Sequence, residues 1–108
     1  MSLLSLFGCG RKTEQTYPQD CLTARDGSKI TLTFFAHASF AMEWNGHHIY
    51  VDPVGEGVKW DKLPKADLVL VTHSHYDHFD MPTIETLQAA GCVVVCDKTT
   101  AEAFGGSV

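Results

Sequence analysis

An α+β fold, or a closely related α/β fold, is predicted by three features of the sequence. Two apolar stretches converge on Asn45-Gly46, continuous apolar runs cover residues 67–72 and 92–96, and a helical pattern separates those runs. A hairpin followed by strand, helix and strand implies a sheet covered by helices. At 108 residues and 44% hydrophobic, the chain has room for one core.

Residues 1–27 hold few periodic apolar positions and read as a leader or tether ending in the turn-like Asp26-Gly27-Ser28. The folded part, residues 28–108, begins with β-rich runs at 30–35 and 39–44. Asn45-Gly46 is a strong hairpin signal, because a type I′ turn needs positive φ at both central positions. The returning strand runs from His47 to Asp52 and is closed by Pro53, which leaves His47 and His48 at the surface beside the turn. Gly55, Gly57 and Pro64 mark an exposed connection. Residues 67–72 then read as a strand buried on both faces. Pro82 to Ala90 is predicted helical, with Pro82 in the first turn and Gly91 as the stop. Residues 92–96 form another buried strand, and Thr99 or Thr100 caps a short helix through Phe104.

Eight Lys and Arg against thirteen Asp and Glu give a net charge of -5, which argues against a nucleic-acid partner. No stretch reaches the roughly 18 apolar residues of a membrane span. Residues 2–9 resemble the end of a bacterial lipoprotein signal. Lipidation of Cys9 would place the protein at the cell envelope with a membrane anchor; otherwise the cytoplasm is expected. The four cysteines form no disulfide framework and read as free thiols. If 92–96 is a strand, Cys92 and Cys96 lie about 13 Å apart, too far for a disulfide.

Three of the six histidines fall within residues 73–78, in Thr72-His73-Ser74-His75-Tyr76-Asp77-His78-Phe79-Asp80. Imidazole and carboxylate suit zinc and other borderline divalent metals. His73 and His75, leaving a strand at alternate positions, can grip one ion, while Asp77 and His78 face a second a few ångströms away. Such a pair of metals activates water and stabilises both attacking and leaving oxygens.

The His-x-His-x-Asp-His spacing resembles the signature of the metallo-β-lactamase superfamily, and the likeness spans residues 29–97. Phe35-Ala36-His37-Ala38-Ser39-Phe40, Ile49-Tyr50-Val51-Asp52-Pro53 and His73 to Asp80 are similar to segments of the branch that includes ascorbate-6-phosphate lactonase and N-acyl-phosphatidylethanolamine phospholipase D. Ala36 stands where that branch has glycine.

The resemblance implies the first half of a four-layer αββα sandwich and a metal-dependent hydrolase. Its metal-bound hydroxide would attack a phosphodiester, lactone or other small-molecule ester. Two zinc ions are implied, with manganese as the alternative. His73 and His75 would ligate the first metal and Asp77 and His78 the second, Asp77 also orienting or deprotonating the attacking water. Asp52 would hold a ligand histidine in its tautomer, or be a plain strand-end turn residue. His37 would line the pocket or pack within a strand, and Asp80 would support the site or cap the following helix. His75 stands where oxygen-reducing di-iron relatives carry a carboxylate, which favours hydrolysis over redox chemistry. The rival readings are a non-catalytic metal-binding or envelope-anchored protein, and an incomplete piece of the enzyme.

Overall fold

The computed structural model describes residues 17–36, 38–55 and 57–104. Among these, six strands form one sheet in sequential order: β1 (Gln19–Thr23), β2 (Lys29–Ala36), β3 (Ser39–Trp44), β4 (His47–Val51), β5 (Ala66–Val71) and β6 (Gln88–Cys96). The first four are joined antiparallel, and β4–β5 and β5–β6 pair parallel. Parallel neighbours need crossovers. A 3-10 turn (Trp60–Lys62) lies in the first, and helix α1 (Met81–Leu87) in the second; α2 (Lys98–Phe104) follows β6. The mixed α+β class read from the sequence is thus the one observed.

The β3–β4 hairpin follows from its turn. Asn45 and Gly46 have φ of 49° and 78°, the left-handed pair that aligns the flanking strands. Asn45→Val should therefore destabilise the protein by about 1–2 kcal/mol, the cost of forcing a β-branched residue into that region. The same change at exposed Lys59, where φ is -89°, should do much less. Denaturant midpoints of the two variants check this, and equal midpoints would remove the turn from the explanation.

Three boundaries differ from the sequence reading. Strand β1 lies inside the stretch read as a leader. It pairs with β2 along its whole length, from Gln19↔Thr33 to Thr23↔Lys29, so the sheet begins ahead of Lys29. The lipoprotein-like start, including Cys9, lies outside the described residues. Helix α1 ends at Leu87 rather than Ala90, because Gln88 turns to extended geometry and pairs with Ala66. Gly91, expected as the helix stop, instead lies inside β6 at φ 81°, where the register against β5 shifts between Ala66 and Leu68. A glycine absorbs the left-handed residue of such an irregularity. The cap of α2 is Asp97, whose Oδ1 accepts from the Thr100 amide at 3.3 Å, rather than Thr99 or Thr100.

One face of the sheet carries the core. Tyr50, Val69, Val71, Val94 and Cys96 pack there with Ile84 and Leu87 of α1 and with Trp60. Trp60 is 5% exposed. It donates to the Val54 carbonyl at 3.2 Å and lies 5.0 Å from the Phe35 ring. The connection read as exposed therefore folds over the sheet, with Val58 and Leu63 packed against the core beside Trp60. On the other face, register aligns Phe34 with Phe40, Ile30 with Trp44, and Leu70 with Val95. Leu22, Phe34, Trp44, Val93 and Val95 are exposed there, a continuous apolar surface of the kind that receives another element.

Cys92 and Cys96 are free thiols, as expected. Burial pushes both upward in pKa, so they are poor nucleophiles. Cys21 departs from the free-thiol reading: it is disulfide-bonded. No helix among the described residues is long and apolar enough to cross a membrane.

Candidate metal centre

The site forms where β4 and β5 end side by side. Asp52 follows β4 and Thr72 follows β5, and the Asp52 amide donates to the Leu70 carbonyl at 2.8 Å, carrying the parallel ladder one residue further. Asp52 is 2% exposed and has φ 46°, an uncommon conformation best tolerated by Asp and Asn. Its carboxylate accepts three hydrogen bonds, each 2.7 Å, from the Thr72 amide, the Thr72 hydroxyl and His78 Nδ1. Ser39 steadies it from below, donating its hydroxyl proton to the Asp52 carbonyl at 2.6 Å.

Beyond Thr72 the chain turns back on itself. The amides of His78 and Phe79 both donate to the His75 carbonyl at 2.9 Å, a single tight turn that returns Asp77 and His78 toward His73. His73, Asp77 and His78 each present one ligand atom, all within 4.8 Å of one another, and all three are partly buried. The His73 and His78 ring centroids are 3.9 Å apart, and Asp77 Oδ2 is 3.7 Å from His78 Nε2.

The hydrogen bonds assign both histidine tautomers. A threonine hydroxyl has one proton, and Thr72 gives it to Asp52. The 3.0 Å contact between Thr72 Oγ1 and His73 Nδ1 must then be donated by the ring, placing the His73 lone pair on Nε2. His78 Nδ1 likewise faces a carboxylate and carries its proton, placing the lone pair on Nε2, the atom nearest Asp77. A carboxylate behind a ligand imidazole is the arrangement that fixes metal-binding histidines. Two imidazole nitrogens and one carboxylate match the three protein ligands of a catalytic zinc site. The residues present therefore fit a borderline divalent metal.

The gathered set differs in grouping from the paired scheme in which His73 and His75 share one ion. β5 ends at Val71, so strand alternation no longer aligns those two residues. His75 is exposed, its ring centroid 4.6 Å from that of His73. Asp80 occupies the N-cap position of α1, but its carboxylate does not bond a helix amide. It accepts from the Thr83 hydroxyl at 2.6 Å and the Gly55 amide at 2.9 Å, tying the helix start to the loop after β4. A Cβ on Gly55 would stand 2.8 Å from both Asp80 Oδ2 and Thr83 Oγ1, so this approach needs glycine. His37 lies outside the described residues. His47 is exposed near Asp67, 3.9 Å away, and His48 is half-buried with its amide bonded to Asp67, both apart from the gathered set. Thr72 is the site residue that sequence reading missed. Its only signal was a hydroxyl residue at the strand end immediately before the first histidine.

With the fold and site in place, comparison places the chain among known proteins. Residues 31–106 match the family described as the beta-lactamase superfamily domain. A UPF0173 metal-dependent hydrolase from Nitratidesulfovibrio vulgaris (strain DP4) is 35% identical over 81 residues, covering 67% of this chain and 34% of that protein. Another, from Flavobacterium johnsoniae, is 45% identical over 62 residues, covering 51% of this chain and 27% of its own length. A solved structure from Parabacteroides distasonis ATCC 8503, described as a metal-dependent hydrolase, superposes with a TM-score of 0.84 at 31% identity, over 86% of this chain and 43% of that one. The chain belongs to the metallo-β-lactamase superfamily. It spans about a third of the length of the first of these relatives.

Proposed function

We propose that this chain carries part of the metal centre of a hydrolase acting on a small-molecule ester, phosphodiester or lactone. The observation that supports the reading most is the convergence of His73, Asp77 and His78 within 4.8 Å, both imidazoles oriented from behind by the Asp52–Thr72 pair. Zinc suits two nitrogens and one carboxylate, with manganese as the alternative. A dication bound there lowers the pKa of water toward neutrality and stabilises developing negative charge on oxygen.

His73 and His78 would hold the metal through Nε2, the nitrogen that their Nδ1 hydrogen bonds leave free. Asp77 would also hold the metal, and would orient the attacking water and take its proton. The water oxygen bonds to the ester carbon or phosphorus. The leaving oxygen departs with the electron pair of the broken bond and picks up a proton, giving acid and alcohol. A second ion would draw on His75 and on donors from beyond this segment, and the relatives' greater length offers room for them.

Elemental analysis of the purified protein tests the metal part of this reading. A transition metal should copurify, and His73→Ala should lower its occupancy sharply, while exposed His47→Ala leaves it unchanged. Equal metal content in wild type and His73→Ala would sink the assignment of the gathered set.

A further inference from the structure

Three parallel strands end side by side at the metal centre. Asp52 follows β4 and Thr72 follows β5, and the pairing of Val71 with Cys96 makes Asp97 the matching residue after β6. Ligands of open α/β sheets gather at such carboxyl ends. Asp97 therefore stands beside the threonine whose hydroxyl meets His73 Nδ1 at 3.0 Å. On the other flank, Asp52 backs His78 at 2.7 Å.

Asp97 is fixed in place by the start of α2. Its carbonyl accepts from the Ala101 amide at 2.9 Å and its Oδ1 from the Thr100 amide at 3.3 Å. The residue is half-buried. A carboxylate has about four lone-pair sites, so one cap bond leaves most of its accepting capacity open. Bonding by Thr100 is the main cause that lowers its pKa, and charge on His73 lowers it further, so that ring and the carboxylate feel each other. Asp97 is not among the three residues whose ligand atoms lie within 4.8 Å of one another. Its influence on an ion there runs through charge rather than through a bond, over the reach of about 10 Å that a carboxylate has at 0.1 M salt. A helix cap does not need that charge, since Asn caps as well as Asp.

We propose that Asp97 is a positioning residue of the metal centre, a carboxylate that raises its affinity for a dication from the His73 side as Asp52 does from the His78 side. This rests on the metal-centre reading above for the place of the ion.

Two variants separate charge from structure. Asp97→Asn keeps the cap and loses the charge, while Asp97→Glu keeps the charge and moves the carboxylate one methylene away from the Thr100 amide. Without metal, Asp97→Asn should melt like wild type. It should bind zinc about tenfold more weakly in competition with a chromophoric chelator, the low end for residues that support metal ligands. Asp97→Glu should melt lower and bind zinc more tightly than Asp97→Asn. The deficit of Asp97→Asn should narrow between about 0.01 M and about 1 M salt, as the screening length falls from about 30 Å to about 3 Å. Asp67→Asn makes the same charge change near the other end of β5, five residues and roughly 16 Å before Thr72. Its amide oxygen can still accept from the His48 amide, and it should bind zinc as wild type does. An Asp97→Asn protein that binds zinc as tightly as wild type or Asp67→Asn, a deficit that ignores salt, or an Asp97→Glu protein weaker than Asp97→Asn would each overturn the proposal. His73→Ala shows which idea has failed. If it loses zinc while Asp97→Asn keeps it, the role of Asp97 alone falls; if it keeps zinc, the metal-centre reading falls and this proposal with it.

Discussion

On the metal-centre reading, Asp52→Asn should lower zinc affinity by about 10–100-fold, the usual effect of removing the group behind a ligand histidine, while the fold survives. Asparagine tolerates the left-handed backbone at this position, so the 46° φ adds little strain. Its carbonyl can still accept from the Thr72 amide, where Asp52 Oδ1 does so now. Its amide then stands where Oδ2 faces His78 Nδ1 and donates to that nitrogen. The imidazole switches tautomer and carries its proton on Nε2, the atom that should bind the metal. Asp52→Ala combines the same loss with the stranding of a Thr72 amide, worth about 1–3 kcal/mol of stability. Zinc competition against a chromophoric chelator, read beside thermal melts, separates the two effects. An Asp52→Asn protein that holds zinc within twofold of wild type would show that the Asp52–His78 contact plays no part in metal binding.

The parts of this fold that were legible in the sequence are those that depend on near neighbours. Asn45-Gly46 announced the hairpin because its two residues are among the few that accept the required φ. The run 67–72 announced a strand because a short apolar run bounded by turn signals suits one, although β5 is buried only on the helix-covered face and leaves Leu68 and Leu70 half-buried on the other. The histidine cluster marked a candidate metal site because its members are close in sequence and chemically alike. What escaped depends on distant partners. Strand β1, Gln-Asp-Cys-Leu-Thr, has little apolar alternation and is defined by its pairing with β2 at the edge of the sheet. Gly91 has the signature of a helix stop, and only the irregular register between β5 and β6 makes it a strand residue. Thr72 and Asp52 meet across 20 residues of sequence, so the hydroxyl that orients His73 carried no local mark. The return of Asp77 and His78 toward His73 depends on the turn closed by the His75 carbonyl, which residue spacing alone does not dictate.

Residues 1–108 on their own should hydrolyse an ester panel at least about 100-fold more slowly than a version extended to its relatives' length, both loaded with zinc or manganese, because incomplete positioning costs on that order. Three gathered donors satisfy one catalytic zinc, and a second ion needs more. No histidine follows His78, and the side chains past it that could ligate are Asp80, Glu85, Cys92, Cys96, Asp97 and Glu102. Asp80 is engaged by Gly55 and Thr83. Asp97 caps α2, and its hydrogen bond from Thr100 holds its carboxyl below the usual range. Burial pushes Cys92 and Cys96 away from the thiolate form a metal needs. Glu85 and Glu102 are exposed on the two helices, and neither joins the gathered set. Among the described residues the apolar sheet face of Phe34, Trp44, Val93 and Val95 is also exposed. The first of the relatives carries roughly two thirds of its length outside the matched region, enough chain to cover such a face and supply further donors. Initial rates for both proteins, with and without chelator, decide the matter. Metal-dependent turnover by residues 1–108 near the rate of the extended protein would mean that His73, His75, Asp77 and His78 suffice for catalysis.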